Sequence, residues 1–382
     1  MKGLQQTNAI ERVRRAIEEI RAGRMVILVD DEDRENEGDL TMAAELVTPE
    51  AVTFMATKGC GLICVTLVPD QVERLGLKMM VDDNRAALGT AFTVSIEAAS
   101  GVSTGISAAD RARTIRVAVD PASGPADIVS PGHVFPLRAM PGGVLQRTGQ
   151  TEGSVDLSRL AGFRSAGVIC EIMNPDGSMA RMPDLERFAG VHGLLIVSIA
   201  DLIEYRLRRD RLIERTSVTE LELGGEERKA RFTAYVYKAA PGVRRREFVA
   251  LVLGDVANGE PVPCRAHVGS LIDDVFLGHT RRRSPSIGQV IDAIIRRGRG
   301  VILYLPSRET IEDEVTRHGG AGDPDRAARD HGGEIREYGI GAQILLDLGV
   351  RRLLVISNNP HKLVGLTAYG FESVTQITME EV

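Results

Sequence analysis

The chain has 382 residues, which at roughly 150 residues per domain predicts two or three domains. Hydrophobic residues make up 43% and charged residues 26%, the balance of soluble globular protein, which excludes wholesale disorder. Basic side chains number 47 against 53 acidic, for a net charge of −6, with aromatics at 4% and no Trp. That excludes a generally basic nucleic-acid binder and a base-stacking platform.

The opening MKGLQQTNAIERVRRAIEEI has no apolar run ahead of its charges, so it is not read as a secretory signal. No stretch reaches the roughly eighteen uncharged apolar residues of a membrane span, and four cysteines are too few for a disulfide scaffold. The expectation is a cytoplasmic protein with neither membrane nor nucleic acid as partner.

Residues 8–22 predict a helix. Asn8 is placed to cap it, Ile10, Val13, Ile17 and Ile20 recur at helical spacing, and Gly23 stands where a left-handed cap would end it. Residues 25–29 predict a strand that empties into DDEDRENEGDL. Further β-rich runs stand at 62–67, 91–96 and 167–173. After Leu185 come a helix, a strand at 194–198 and a helix at about 200–208. Strands and helices mix without alternation, which reads as an α+β domain over 1–208. The arginine-rich stretch 206–215 reads as the inter-domain connection, with 209–217 as linker. Over 218–382, RFTAYVYKA and EFVALVLGDV predict paired strands around a Pro241-Gly242 turn. IGQVIDAIIRRGRGVILYLP and IGAQILLDLGVRRLLVISNNP each predict helix, Gly stop and strand, which makes this an α/β domain. The polar stretch 307–334 reads as a mobile loop.

Three constellations can carry chemistry. The acidic run 30–39 crowds carboxylates behind a buried strand, either as a solvated turn or as a seat for a divalent cation, since hard cations prefer carboxylate oxygen. Arg34 in its midst offers a phosphate or hydroxyl contact. In the second, His133 follows a Gly turn, and Arg147, Thr148, Gly149, Gln150 and Thr151 join a cation, hydroxyls and a flexible Gly, which suits either a phosphate cradle or a surface turn. In the third, Glu171 stands in an apolar strand, where it must face outward, be paired, or carry a raised pKa suited to acid/base work. Ser103 to Ser107 is a weaker hydroxyl cluster. Cys60 and Cys64 lack a second Cys/His pair, so zinc is not expected there.

The segments DDEDRENEGDL, TAFTVSIEAASGVSTGISAADRARTI, SPGHVFPLRAMPGGVLQRTGQTEGSVDL and AGVICEIMNPDGSMARMPDLERFAGVHGL together resemble 3,4-dihydroxy-2-butanone-4-phosphate synthase, over residues 8–208. The resemblance implies a lyase of riboflavin biosynthesis that turns ribulose 5-phosphate into dihydroxybutanone phosphate and formate. It implies Mg²⁺ (or Mn²⁺) and a homodimer with shared active sites. By motif, Glu35 would bind metal, Arg34 and Asp39 would hold substrate, residues 147–151 would grip the phosphate, and His133 and Glu171 would be the acid/base groups. The family's motif carries a histidine metal ligand where this chain has Gln150, whose amide oxygen can still ligate Mg²⁺ as a weaker, neutral donor.

Residues 218–382 resemble GTP cyclohydrolase II through REYGIGAQ, the 348–350 turn and SNNPHK. The family's three zinc thiolates correspond here to Ser270, Arg281 and Arg283, and its catalytic stretch to Pro306, Ser307, Arg308 and Glu309. Cations in place of thiolates repel Zn²⁺, and Cys264 alone cannot replace them. The expectation is no zinc, no ring opening of GTP, and a dimerising or regulatory role. A related lyase or isomerase with a changed substrate, and a non-catalytic regulatory paralogue, are the alternative readings of the whole chain.

Overall fold

The computed structural model describes residues 8–381, apart from 32–33, 87, 226–227, 240–246, 277–284, 307–310, 319–339, 358–370 and 380. The chain divides into two compact units, Met1–Arg206 and Leu207–Val382.

The first unit opens with helix α1 (Ala9–Arg21). Asn8 accepts the Ile10 N–H at its N-terminus, and Val13, Ala16, Ile17 and Ile20 form the buried stripe. Gly23, at φ +76°, donates to the Ile20 carbonyl and ends it. Strands β1 (Val26–Val29), β2 (Gly38–Ala43), β3 (Cys64–Leu67), β4 (Ile96–Ala98), β5 (Ile128–Arg138), β6 (Ala166–Glu171) and β7 (Leu195–Ser198) form one mixed sheet, ordered β4-β5-β3-β6-β2-β1-β7. β1 and β2 are buried along their whole length, as strands covered on both faces must be. The helices that follow α1 are α2 (Pro49–Phe54), α3 (Pro69–Arg74), α4 (Ala108–Val119), α5 (Gln150–Leu160), α6 (Met182–His192) and α7 (Ile199–Arg209). α5 packs on the central strands β2, β3 and β6, which sets its N-terminus in place.

Three expectations need correction. Of the 91–96 run, only Ile96 enters a strand. The rest is held by single bridges and by Thr93 N–H donating to the Pro136 carbonyl at 3.0 Å. β5 contains Pro131 and Pro136, which offer no N–H, so a continuous ladder cannot form there. The Ser103–Ser107 hydroxyls serve α4: Ser107 caps it through the Asp110 N–H, and Ser103 donates N–H and hydroxyl to the Asp110 carboxylate. Those bonds, the Ser103 hydroxyl first, hold Asp110 below the usual carboxylate range. The arginine-rich stretch 206–215, where the two units divide, is not linker throughout: α7 reaches Arg209 and a strand starts at Ile213, leaving 210–212 between them. Arg206 is buried and donates from Nη1 to the Gly142 carbonyl at 2.7 Å and Asp156 Oδ2 at 2.8 Å, so its charge is satisfied inside.

The second unit carries β8 (Ile213–Gly224), β9 (Lys229–Ala239), β10 (Glu247–Leu253), β11 (Val262–Val268), β12 (Gly300–Leu305), β13 (Arg352–Ile356) and β14 (Ser373–Ile377), ordered β14-β13-β11-β12-β10-β9-β8. Its β11–β14 half is parallel where its members pair with β11 and β13, and β8, β9, β10 and β12 run antiparallel. β9 and β10 pair as expected, while their Pro241-Gly242 turn lies outside the described residues. Helix α8 (Ile287–Arg297) is capped by Ser286 and stopped by Gly298 at φ +73°. Within the polar 307–334 stretch, Ile311–His318 is helix α9, and the remainder lies outside the described residues. The residues 340–347 are helical. Gln343 ties that helix to the start of the unit, donating to the Leu207 and Asp210 carbonyls and accepting the Leu212 N–H.

Candidate functional site

The turn between β1 and β2 is organised by one carboxylate. Asp30 has a fully buried side chain, whose Oδ1 accepts the Glu37 N–H at 2.9 Å and Oδ2 the Glu35 N–H at 3.2 Å. These bonds fold an acidic segment that would otherwise straighten by self-repulsion. Arg181 donates from Nη1 to the carbonyls of Glu35 and Asn36 and clamps the turn from the side of α6. Arg34 points inward. Its Nη1 lies 2.6 Å from Asp30 Oδ2, 2.9 Å from Glu35 Oε2 and 2.8 Å from Gln150 Oε1.

Gln150 is the first residue of α5 and is 4% exposed. Its oxygen is taken by Arg34, and its Nε2 is buried with no hydrogen-bond partner. Gly149 brings no side chain to cap α5, so the first-turn N–H groups face the site with the positive end of the helix dipole. Thr151 is buried in this turn. Arg147 leans back on it, with Nη1 on Glu152 Oε2 at 2.7 Å and Nη2 on the Leu88 carbonyl and the Thr90 hydroxyl. Burial pushes the Glu152 carboxyl up, against the opposing pull of Arg147. Among the described residues, no side-chain bond of Thr148 accompanies these contacts.

β2 and β6 run antiparallel with Asp39 opposite Glu171, which sets two carboxylates side by side on one face. Asp39 is buried. Burial first, and then the charges of Glu171, Glu35, Asp30 and Glu37, push its carboxyl well above the usual range. Glu37 is raised for the same reasons, burial leading and Glu35 next. Glu171 Oε2 accepts the Leu62 N–H at 2.8 Å. Backbone approaches so closely here that a Cβ on Gly61 would stand 2.5 Å from that oxygen.

His133 stands on β5, with Nδ1 3.2 Å from Glu97 Oε2 and the imidazole 44% exposed. Glu97 in turn rests over Gly105, at φ +87°, where a Cβ would fall 1.6 Å from its Oε1. Phe135 pairs with Cys64, and Cys64 with Ile169. Continued by two residues, those ladders put His133 in the row of Glu171, two strands or about 10 Å away. One end of the sheet and the start of α5 therefore gather Arg34, Glu35, Asp39, Gln150 and Glu171, while His133 sits farther along the same end.

Residues 14–205 match the family described as 3,4-dihydroxy-2-butanone 4-phosphate synthase, and residues 219–378 match GTP cyclohydrolase II. The "Riboflavin biosynthesis protein RibBA" of Aquifex aeolicus is 47% identical over 96% of this chain and 92% of its own. The chain belongs to the 3,4-dihydroxy-2-butanone 4-phosphate synthase family. A solved two-domain synthase of this family from A. baumannii, called RibBX, is 38% identical with a TM-score of 0.76, over 95% of this chain and 99% of that one. A synthase structure described as in complex with two magnesium ions is 41% identical with a TM-score of 0.50, over 52% of this chain and 97% of that one.

Against the synthase pattern, a hard cation suits this donor set. A Glu35 carboxylate oxygen and the Gln150 amide oxygen already converge on one cationic nitrogen, within 2.9 Å of it. Among the described residues, no group of three or more His, Cys, Asp or Glu side chains forms a metal cluster. In the second unit, Ser270 donates its hydroxyl to Glu314, and its N–H to Asp274 Oδ2 at 2.9 Å; His267 Nε2 meets Asp274 Oδ1 at 2.9 Å. Arg281, Arg283 and the Ser307–Glu309 stretch lie outside the described residues. Cys264 is buried in β11, its thiol pushed up by burial.

The residues that sequence reasoning passed over are Arg181, Glu97 and Glu152, together with Asp30 as the organiser of its turn. Arg181 reaches Glu35 across 146 positions and Glu97 reaches His133 across 36, separations that carry no local signal. Nothing in the run of acids sets Asp30 apart from Asp31 until the fold buries one of them.

Proposed function

We propose that the protein is a magnesium-dependent lyase that converts D-ribulose 5-phosphate to 3,4-dihydroxy-2-butanone 4-phosphate and formate in riboflavin biosynthesis. The convergence of Arg34, Glu35 and Gln150 beside the Asp39–Glu171 pair carries this reading. Forming an enediol requires a base next to the carbonyl and an acid at its oxygen. Glu171, anchored by the Leu62 N–H, is the carboxylate base, and Asp39, which holds its proton to a higher pH than an ordinary aspartate, is the adjacent acid. His133, oriented through Nδ1 by Glu97, keeps Nε2 for further proton transfers through dehydration and loss of the one-carbon unit. The first-turn N–H groups of α5, with Arg147, Thr148, Gly149 and Thr151 around them, take the phosphate. Magnesium, when bound, stabilises negative charge developing on adjacent sugar oxygens. Glu35 and Gln150 would hold it, and Mn²⁺ accepts the same donors.

In this proposal the second unit does not open GTP. The Ser270 hydroxyl is spent on Glu314, and the A. baumannii relative with both domains is described as a synthase. The working form is a cytoplasmic homodimer with shared active sites, the exposed His133 segment lying at the shared face. Purified protein incubated with D-ribulose 5-phosphate and Mg²⁺ is expected to release formate, and with GTP none. Silence on the sugar phosphate overturns the synthase reading, and formate from GTP overturns the inactivity of the second unit.

A further inference from the structure

We propose that Arg34 is a built-in competitor for the metal. Its guanidinium occupies the point where the Glu35 and Gln150 oxygens meet, and a divalent ion settles there only as Arg34 swings out. The inference rests on the metal reading above and adds a gate to it.

Three features support the exchange. First, one nitrogen, Nη1, serves three oxygens at 2.6–2.9 Å, from Asp30, Glu35 and Gln150. A nitrogen with two hydrogens cannot satisfy three acceptors ideally, so what holds it there is its positive charge. Second, the amide of Gln150 turns its oxygen to Arg34 although this leaves Nε2 buried and unpartnered. An unsatisfied buried donor is costly, so the orientation is imposed by a cation at that point. The same orientation presents oxygen, the donor a hard metal needs. Third, most of the site is withdrawn from water: Gln150 is 4% exposed and the side chains of Arg34 and Asp30 are 14% and 0% exposed, with Glu35 at 30% on the open side. Two cations cannot share the same oxygens in such surroundings, because their repulsion is poorly screened. A chain with this arrangement therefore holds its metal weakly until Arg34 finds other acceptors.

Binding of Mn²⁺ to the full chain without substrate, followed by the loss of the free-ion electron paramagnetic resonance signal, tests the exchange. Arg34→Met removes the charge and keeps the stem; Arg34→Gln also keeps a donor for Asp30, should the first variant fold poorly. Arg181→Gln is the control, since it removes a charge from the same turn without vacating the two oxygens. Both Arg34 variants are expected to bind Mn²⁺ about tenfold or more tightly than the wild type, a gain abolished by adding Glu35→Gln, with a smaller gain for Arg181→Gln. Equal gains from Arg34 and Arg181 variants, or none from Arg34, overturn the competition while leaving the metal site standing. Mn²⁺ binding that ignores Glu35 in every variant removes the metal reading itself, and the competition with it.

Discussion

Two buried polar clusters, one in each unit, illustrate how differently a protein can use similar side chains. Around the β1–β2 turn, Asp30, Glu35, Glu37, Asp39 and Glu171 outnumber Arg34 and Arg181, the carboxyls of Asp39 and Glu37 are pushed above the usual range, and a buried amide nitrogen goes unpaired. Around Ser270 the groups complete one another: His267 meets Asp274, and Ser270 and the Ile272 N–H meet Glu314. The first cluster is electrostatically unfinished, which is the mark of a site awaiting a ligand. The second is closed, as a structural brace is.

The largest effect should come from the unfinished cluster. Glu171→Gln and Glu35→Gln are each expected to lower formate release from D-ribulose 5-phosphate by about 10²–10⁴-fold, with melting temperature little changed. Near-normal turnover in both would erase the contrast. Next, Gln150→His replaces a neutral oxygen with imidazole, and should favour Mn²⁺ over Mg²⁺ by about tenfold in direct metal titrations.

In the closed cluster, Glu314→Gln should cost about 1–3 kcal/mol of stability and leave formate release unchanged. Metal analysis of the full chain should find no stoichiometric zinc, and one zinc per chain would mean that the second unit contains metal after all. The smallest effect concerns Asp39. Its raised carboxyl contributes stability fully at pH values below the unfolded pKa, and that contribution is lost as pH rises through the folded value. Asp39→Asn should therefore raise the melting temperature by about 2–4 °C at about pH 8. The gain should shrink on acidification toward about pH 3, below the ordinary aspartate range, where the wild-type carboxyl is protonated in both states.

Much of the architecture was legible because it is written locally. The Asn8 cap, the apolar stripe of α1 and the Ser286-to-Gly298 frame of α8 each depend on residues within a few positions of one another. The same local reading missed the regular structure within 206–215. Arginines resemble a solvated linker until a distant acceptor appears, and Arg206 finds Asp156 fifty positions back. The hydroxyls of 103–107 looked like a binding cluster because a helix cap uses the same chemistry as a ligand contact. Within the candidate site, the motifs drew attention to Arg34, Glu35, Asp39, Gln150 and Glu171, but not to which of them touch.

Composition and motif order determined the two-domain plan, the kinds of chemistry on offer and the substitution at position 150, since all of these depend on residue identity alone. The folded chain decided the rest. Strand pairing brings Asp39 against Glu171, 132 positions apart in the chain, and the docking of α5 on the sheet lets Arg34 reach Gln150. Burial then turns those encounters into shifted protons and an unpaired amide, because charge is strongly felt only where water has been removed.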